Sequence, residues 1–159
     1  MSDRSASVLI ANGALVFLAG MAAGFPFAFL LLGKIALWPI PGAIDVMMPG
    51  DVRGWRMAHL EGVLNGLTLI GVAAVGSRLR LSDRAERVLV WSLIVMAWGN
   101  EVASWIGPLF GGRGLAFGGG VANSLMYLLF VAAIVGVVVA MWLVAAGALA
   151  ALRTSGARD

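Results

Sequence analysis

The chain has 159 residues, 61% of them hydrophobic and 12% charged, with a mean hydropathy of +0.97. That exceeds the roughly 45–50% apolar content of soluble domains and marks an integral membrane protein. A formal charge of +3 rests on eleven basic residues placed mostly at the ends of apolar runs, as topology determinants beside lipid headgroups; no nucleic-acid partner is expected. Zero cysteines exclude disulfides, thiolate metal sites and cysteine nucleophiles together.

About 20 apolar residues cross a bilayer as a helix, so this length holds four spans and no separate soluble domain. The expected fold is all-α: one four-helix transmembrane bundle over residues 1–159. The first span covers residues 8–33, far longer than the apolar region of a signal peptide, and reads as a retained helix. Asn12 is its one strongly polar side chain, and Pro26 predicts a kink or early stop. Residues 34–54 are rich in proline and glycine, hold Asp45, Asp51 and Arg53, and read as a loop with scope for a re-entrant turn.

The second span is predicted over residues 55–76, followed by a connector carrying Arg78, Arg80, Arg84 and Arg87. The third covers 88–110. After the turn Gly111-Gly112-Arg113-Gly114, the fourth covers 117–152, longer than one crossing needs, and is predicted to tilt or project. Gly136 and Ala140, four apart, permit close helix packing, although chance spacing in a glycine- and alanine-rich helix explains them equally well. Trp91, Trp98 and Trp105 recur at heptad spacing and read as a packing stripe with interfacial anchors.

Arg4, Arg78, Arg80, Arg84, Arg87, Arg153 and Arg158 fall on one side of this topology, against Lys34, Arg53, Arg56 and Arg113 on the other. The positive-inside rule then puts both termini in the cytoplasm, with the protein in a bacterial-type inner membrane.

The polar side chains gather at one depth. The second helix carries His59, Glu61 and Asn65; the third carries Asn100, Glu101 and Ser104 in its later half; the fourth opens with Asn123, Ser124 and Tyr127. Unpaired polar groups are costly in hydrocarbon, so these residues should face one another, a cofactor or a wet cavity. At 100° per residue Asn100 and Ser104 share a face, as do Glu61 and Asn65, while His59 aligns with Gly62 and Gly66. That small-residue face admits either a flat ligand or another helix. Because His59 and Asn65 stand about 120° apart around the helix, protein or cofactor should flank it on two sides, which favours an oligomer. Glu61 and Glu101 paired with Arg56 or Arg113 for folding alone is an equally plain reading.

His59 is the only histidine. Catalytic zinc asks for about three protein ligands, whereas haem brings four nitrogens and asks for one axial histidine, leaving a sixth position open. With no CxxCH attachment motif, any haem is non-covalent.

The run Trp55-Arg56-Met57-Ala58-His59-Leu60-Glu61-Gly62-Val63-Leu64-Asn65-Gly66, then Trp98-Gly99-Asn100 and Gly112-Arg113-Gly114-Leu115, resembles the styrene oxide isomerase family in residues, order and spacing. The resemblance implies a homotrimer of four-helix protomers with haem b near the subunit interfaces, converting an apolar aryl epoxide to an aldehyde. It matches His59 to the axial iron ligand and Asn65 and Asn100 to the epoxide pocket. The family pattern has a tyrosine four residues after the second asparagine, where this chain has Ser104. Asn65, with Asn100 or Ser104, is then expected to hydrogen-bond the epoxide oxygen, and Arg56, Arg113 and Arg53 are candidates for the haem propionates. Two rivals share these residues: a haem-free membrane isomerase using His59 with Glu61 or Glu101 as acid and base, and a non-catalytic haem-binding membrane subunit.

Overall fold

Short polar side chains start three of the helices. Ser2 accepts from the Ser5 amide, Asp51 from Gly54 and Ser82 from Ala85, satisfying amides that have no partner within their own helix. In the computed structural model, which describes residues 1–37, 39–45 and 47–155, four long helices result: α1 (Asp3–Leu32), α2 (Val52–Val75), α3 (Asp83–Phe110) and α4 (Val121–Ser155). All four are long and apolar enough to cross a membrane, and no β-strand forms among the described residues. Arg158, counted above toward orientation, lies outside the described residues.

The caps explain where the helices depart from the predicted spans. α1 and α3 begin five residues early, because Ser2 and Ser82 nucleate them and Asp3, Asp83 and Glu86 suit the positive helix end. α4 starts at Val121 rather than at residue 117, since Gly118, Gly119 and Gly120 take φ of 108°, 71° and 120°, outside helical backbone. α1 runs through Pro26 without stopping and ends at Gly33, as membrane helices tolerate proline where neighbouring groups satisfy the freed backbone. The connection after it closes on an antiparallel bridge, with Ile35 and Ile44 exchanging backbone hydrogen bonds of 2.9 and 3.0 Å; no re-entrant helix forms among its described residues. At 1.5 Å per residue the 35 residues of α4 extend roughly 52 Å, well beyond the hydrocarbon thickness.

Glycine sets the packing. Gly20 lies against Gly62, and Gly66 against Gly13; a Cβ on Gly20 would fall 2.7 Å from the Gly62 Cα, and one on Gly66 2.7 Å from the Gly13 carbonyl oxygen. α1 and α2 therefore meet backbone to backbone, the close approach that small residues allow in membranes. Gly136 does the same for α4 on α3, where a Cβ would sit 2.7 Å from the Ser92 carbonyl oxygen, and Ala140 is fully buried. α2 and α3 join these two pairs, and Trp98 ties α3 to α1 by donating from Nε1 to Asn12 Oδ1 at 3.0 Å. Trp91, at the other end of the tryptophan stripe, is 66% exposed and fits an interfacial anchor.

Within the expected four-helix arrangement, α4 sits at the edge. α4 packs along α3, with no comparable contact to α1 or α2. Its small residues Ala133, Gly136 and Ala140 form one stripe, and Val131, Ile134, Val138 and Trp142 elsewhere on it stay exposed. A helix apolar all round has only its small-residue stripe to seat tightly, and its remaining surface is fit for lipid or another copy.

Gly62→Leu should lower the midpoint of thermal unfolding in detergent. Overpacking costs about 1–3 kcal/mol where side chains can yield, and here backbone must move. Gly71→Ala, with nothing within 4 Å of the added carbon, should not lower that midpoint, since alanine is the better helix former.

Candidate functional site

His59 sits half-buried at the seam between α1 and α2. Its Nδ1 lies 2.9 Å from the Gly20 carbonyl oxygen. A carbonyl only accepts, so Nδ1 carries a proton, and in the neutral ring Nε2 is the nitrogen with the lone pair; Nε2 has no hydrogen-bond partner among the described residues. The α1 chain makes the room for this ring: a Cβ on Gly24 would fall 3.1 Å from Nδ1, and Phe27 stacks on the imidazole with centroids 6.4 Å apart and planes at 24°. Sequence reasoning left the glycine face beside His59 open to a ligand or a helix. α1 fills it, and Gly20, Gly24 and Phe27 are the residues that reasoning missed, since no local pattern says which helix covers which face.

The other side of α2 is polar in a different way. Asn65 is buried and donates from Nδ2 to Glu61 Oε2 at 2.9 Å, the pairing that four-residue spacing predicts. Across on α3, Glu101 is 1% exposed; its Oε1 accepts from Trp105 Nε1 at 2.8 Å, while Oε2 has no partner among the described residues and abuts Gly62. Trp105 meets Trp55 edge to face at 5.3 Å, and Trp55 Nε1 donates to the Pro49 carbonyl at 2.7 Å. This chain of contacts ties the loop before α2 to the centre of the α2–α3 interface. Neither glutamate pairs with Arg56 or Arg113 among the described residues, so the folding ion pairs considered above do not form.

Ser104 lies one turn from Asn100 on α3, 3% exposed, with an Oγ that has no partner among the described residues. Asn100 is half-buried and makes no hydrogen bond among the described residues. Ser104 lines a cleft of about 550 Å³ between the start of α2 and the end of α3, with Met57, Pro108 and Met126 as walls and Arg53 and Arg113 among its lining residues. His59 and Arg56 are not among those lining residues. Arg56 is exposed and about 60° from His59 around α2, so these two share a side, while Arg113 joins Ser104 on the other. The chain thus carries two separate polar groupings, one on each side of α2.

Asn123, which the sequence placed in the polar cluster, has a different role. Its Oδ1 accepts from the Arg113 and Gly114 amides at 3.0 and 2.9 Å, and its Nδ2 donates to the Ala116 and Gly118 carbonyls at 2.8 Å each. All of its amide capacity goes into holding the loop that carries Arg113.

A profile of the family described as styrene oxide isomerase matches residues 5–149. A styrene-oxide isomerase of Pseudomonas fluorescens is 34% identical over 101 residues, which span 58% of this chain and 59% of that protein's length.

Asn123→Ala should leave the four helices formed and loosen residues 111–120. Limited proteolysis is expected to cut that loop faster, and the unfolding midpoint to drop by a loss of about 1–3 kcal/mol, the scale of a few partly exposed hydrogen bonds.

Proposed function

The chain belongs to the styrene oxide isomerase family, and on that footing we propose that it isomerises an apolar aryl epoxide, such as styrene oxide, to the corresponding aldehyde with a non-covalent haem b. The observation that carries this reading is the His59 contact: a ring held by Gly20 through Nδ1–H would offer Nε2 as the nitrogen ligand for a haem iron. When bound, the haem iron supplies a Lewis acid for the epoxide oxygen.

The reaction is redox-neutral. The benzylic C–O bond breaks, a hydrogen moves with its electron pair from the terminal to the benzylic carbon, and the oxygen stays on the terminal carbon as the aldehyde. No net proton is taken up or released, so the chain's residues need only orient the oxygen and exclude water. Asn65 is suited to orienting the oxygen. One N–H of its amide goes to Glu61, which fixes the side chain, and the second remains for a substrate oxygen. Asn100 and Ser104, both without partners among the described residues, supply further donors on the facing helix. The apolar helices around them keep water from a carbocation that would otherwise give a diol.

Because His59 with Arg56 and Asn65 with Ser104 lie on different sides of α2, we place the reacting centre between copies in a homotrimer, His59 from one and the asparagines from its neighbour. Arg56 and Arg113 are assigned to the haem propionates. Both termini are placed on the cytoplasmic side of an inner membrane, with the Ser104 cleft opening outward. The haem-free reading has weaker support, since the free oxygen of Glu101 faces the Gly62 backbone rather than His59.

Protein purified from haem-replete cells should show a Soret band that His59→Ala abolishes; no band in the parent protein overturns the cofactor. The same preparation should turn styrene oxide into phenylacetaldehyde, read by gas chromatography. Asn65→Ala should lower kcat about 10²–10³-fold, the cost of one well-placed donor, with the Soret band intact, and unchanged turnover removes Asn65 from the mechanism.

A further inference from the structure

The cleft at the start of α2 holds more binding capacity than a neutral epoxide uses. Its lining includes one buried polar residue, Ser104, only 3% exposed, whose Oγ lies beneath the cleft surface with no partner among the described residues. Its walls are apolar, through Met57, Pro108 and Met126. Arg53 and Arg113 are exposed, and neither has an acidic partner within salt-bridge distance among the described residues. The one acid lining the cleft is Asp51, whose Oδ1 is engaged at 2.6 Å by the Gly54 amide.

Backbone adds to the positive field. The 24-residue helix α2 begins at this cleft, and the amides of Val52 and Arg53 have no partner within their own helix. Asn123 grips the backbone of Arg113 and Gly114, so one of the two guanidinium groups rises from a braced loop. Two unpaired arginines, a helix N-terminus and a buried hydroxyl around apolar walls complement an anion attached to an apolar body. Phosphate alone would leave the walls unused, and a neutral aryl ring would leave the arginines unused.

We propose that this cleft binds a carboxylate carried on an apolar body, with Arg53 and Arg113 on the carboxylate and Ser104 donating to it or to the body's nearest acceptor. Two sources present that chemistry. One is a propionate of a haem seated on His59 of a neighbouring copy, which rests on the function proposed above; His59 of the same copy lies across α2. The other is a free arylalkyl carboxylate, the class made by two-electron oxidation of an arylalkyl aldehyde, which would make the cleft a carboxylate-binding site that needs no haem.

The test uses the full-length protein in detergent, as isolated and after haem extraction, titrated by calorimetry with phenylacetate, benzyl alcohol and inorganic phosphate. If the source is free carboxylate, phenylacetate binds the protein as isolated, at least tenfold tighter than either control, and Arg113 is then withdrawn from the haem propionates. If the source is the propionate, phenylacetate binds only after extraction, and the double substitution Arg53→Gln, Arg113→Gln speeds haem transfer to apomyoglobin about tenfold. In either case that double variant, altered only at exposed positions, should weaken phenylacetate at least tenfold, and Ser104→Ala should weaken it by a smaller factor. The proposal is overturned if the double variant changes neither phenylacetate affinity nor haem loss by more than twofold. It is equally overturned if phosphate or benzyl alcohol binds as well as phenylacetate. A protein that carries no haem yet binds phenylacetate through these arginines would sink the cofactor assignment and leave this cleft standing.

Discussion

Everything about the candidate site depends on how closely α1 approaches α2. Glycine faces glycine at Gly20–Gly62, and Gly66 meets Gly13, so the two backbones touch where any larger residue would hold them apart. That proximity brings the Gly20 carbonyl within hydrogen-bond range of His59 and fixes which ring nitrogen bears the proton. A wider spacing would leave the ring free to rotate and its nitrogens interchangeable. Helix packing here is part of the chemistry.

α2 divides the protomer into two functional sides. One carries His59, braced by Gly24 and Phe27 of α1 with Arg56 beside it. The other carries the Glu61–Asn65 pair, and beyond it α3 presents Asn100 and Ser104. Between them runs a line of contacts from Pro49 through Trp55 and Trp105 to Glu101, which locks the loop before α2 to the α2–α3 interface. A chain built this way presents two polar groupings facing apart, and an open, apolar α4 surface.

Polar side chains that look alike along the chain play unlike parts in this framework. Asn65 is held by a glutamate four residues away and retains one N–H; Asn123 is fully spent on a loop; Asn12 receives the Trp98 indole. Ser104 is buried without a partner among the described residues and shares its cleft with two arginines, while Ser124 accepts from the Gly118 amide. Residue type alone would rank the asparagines equally. Their bonding separates a residue with capacity left for a ligand from one already saturated.

Local rules made four helices, their approximate reach, the isolation of His59 and the Glu61–Asn65 pair legible from the residues alone. Apolar run length is set by bilayer thickness, and four-residue neighbours on a helix meet whatever surrounds them. The membership of the family was readable too, from the run around His59. What the residues in order could not say was which helix covers the glycine face, which histidine nitrogen meets a backbone carbonyl, that α4 packs chiefly along α3, or that Ser104 shares a cleft with Arg53 and Arg113. Each of these depends on contacts between segments far apart in the chain, and helical periodicity reports which side chains share a face without reporting what that face meets.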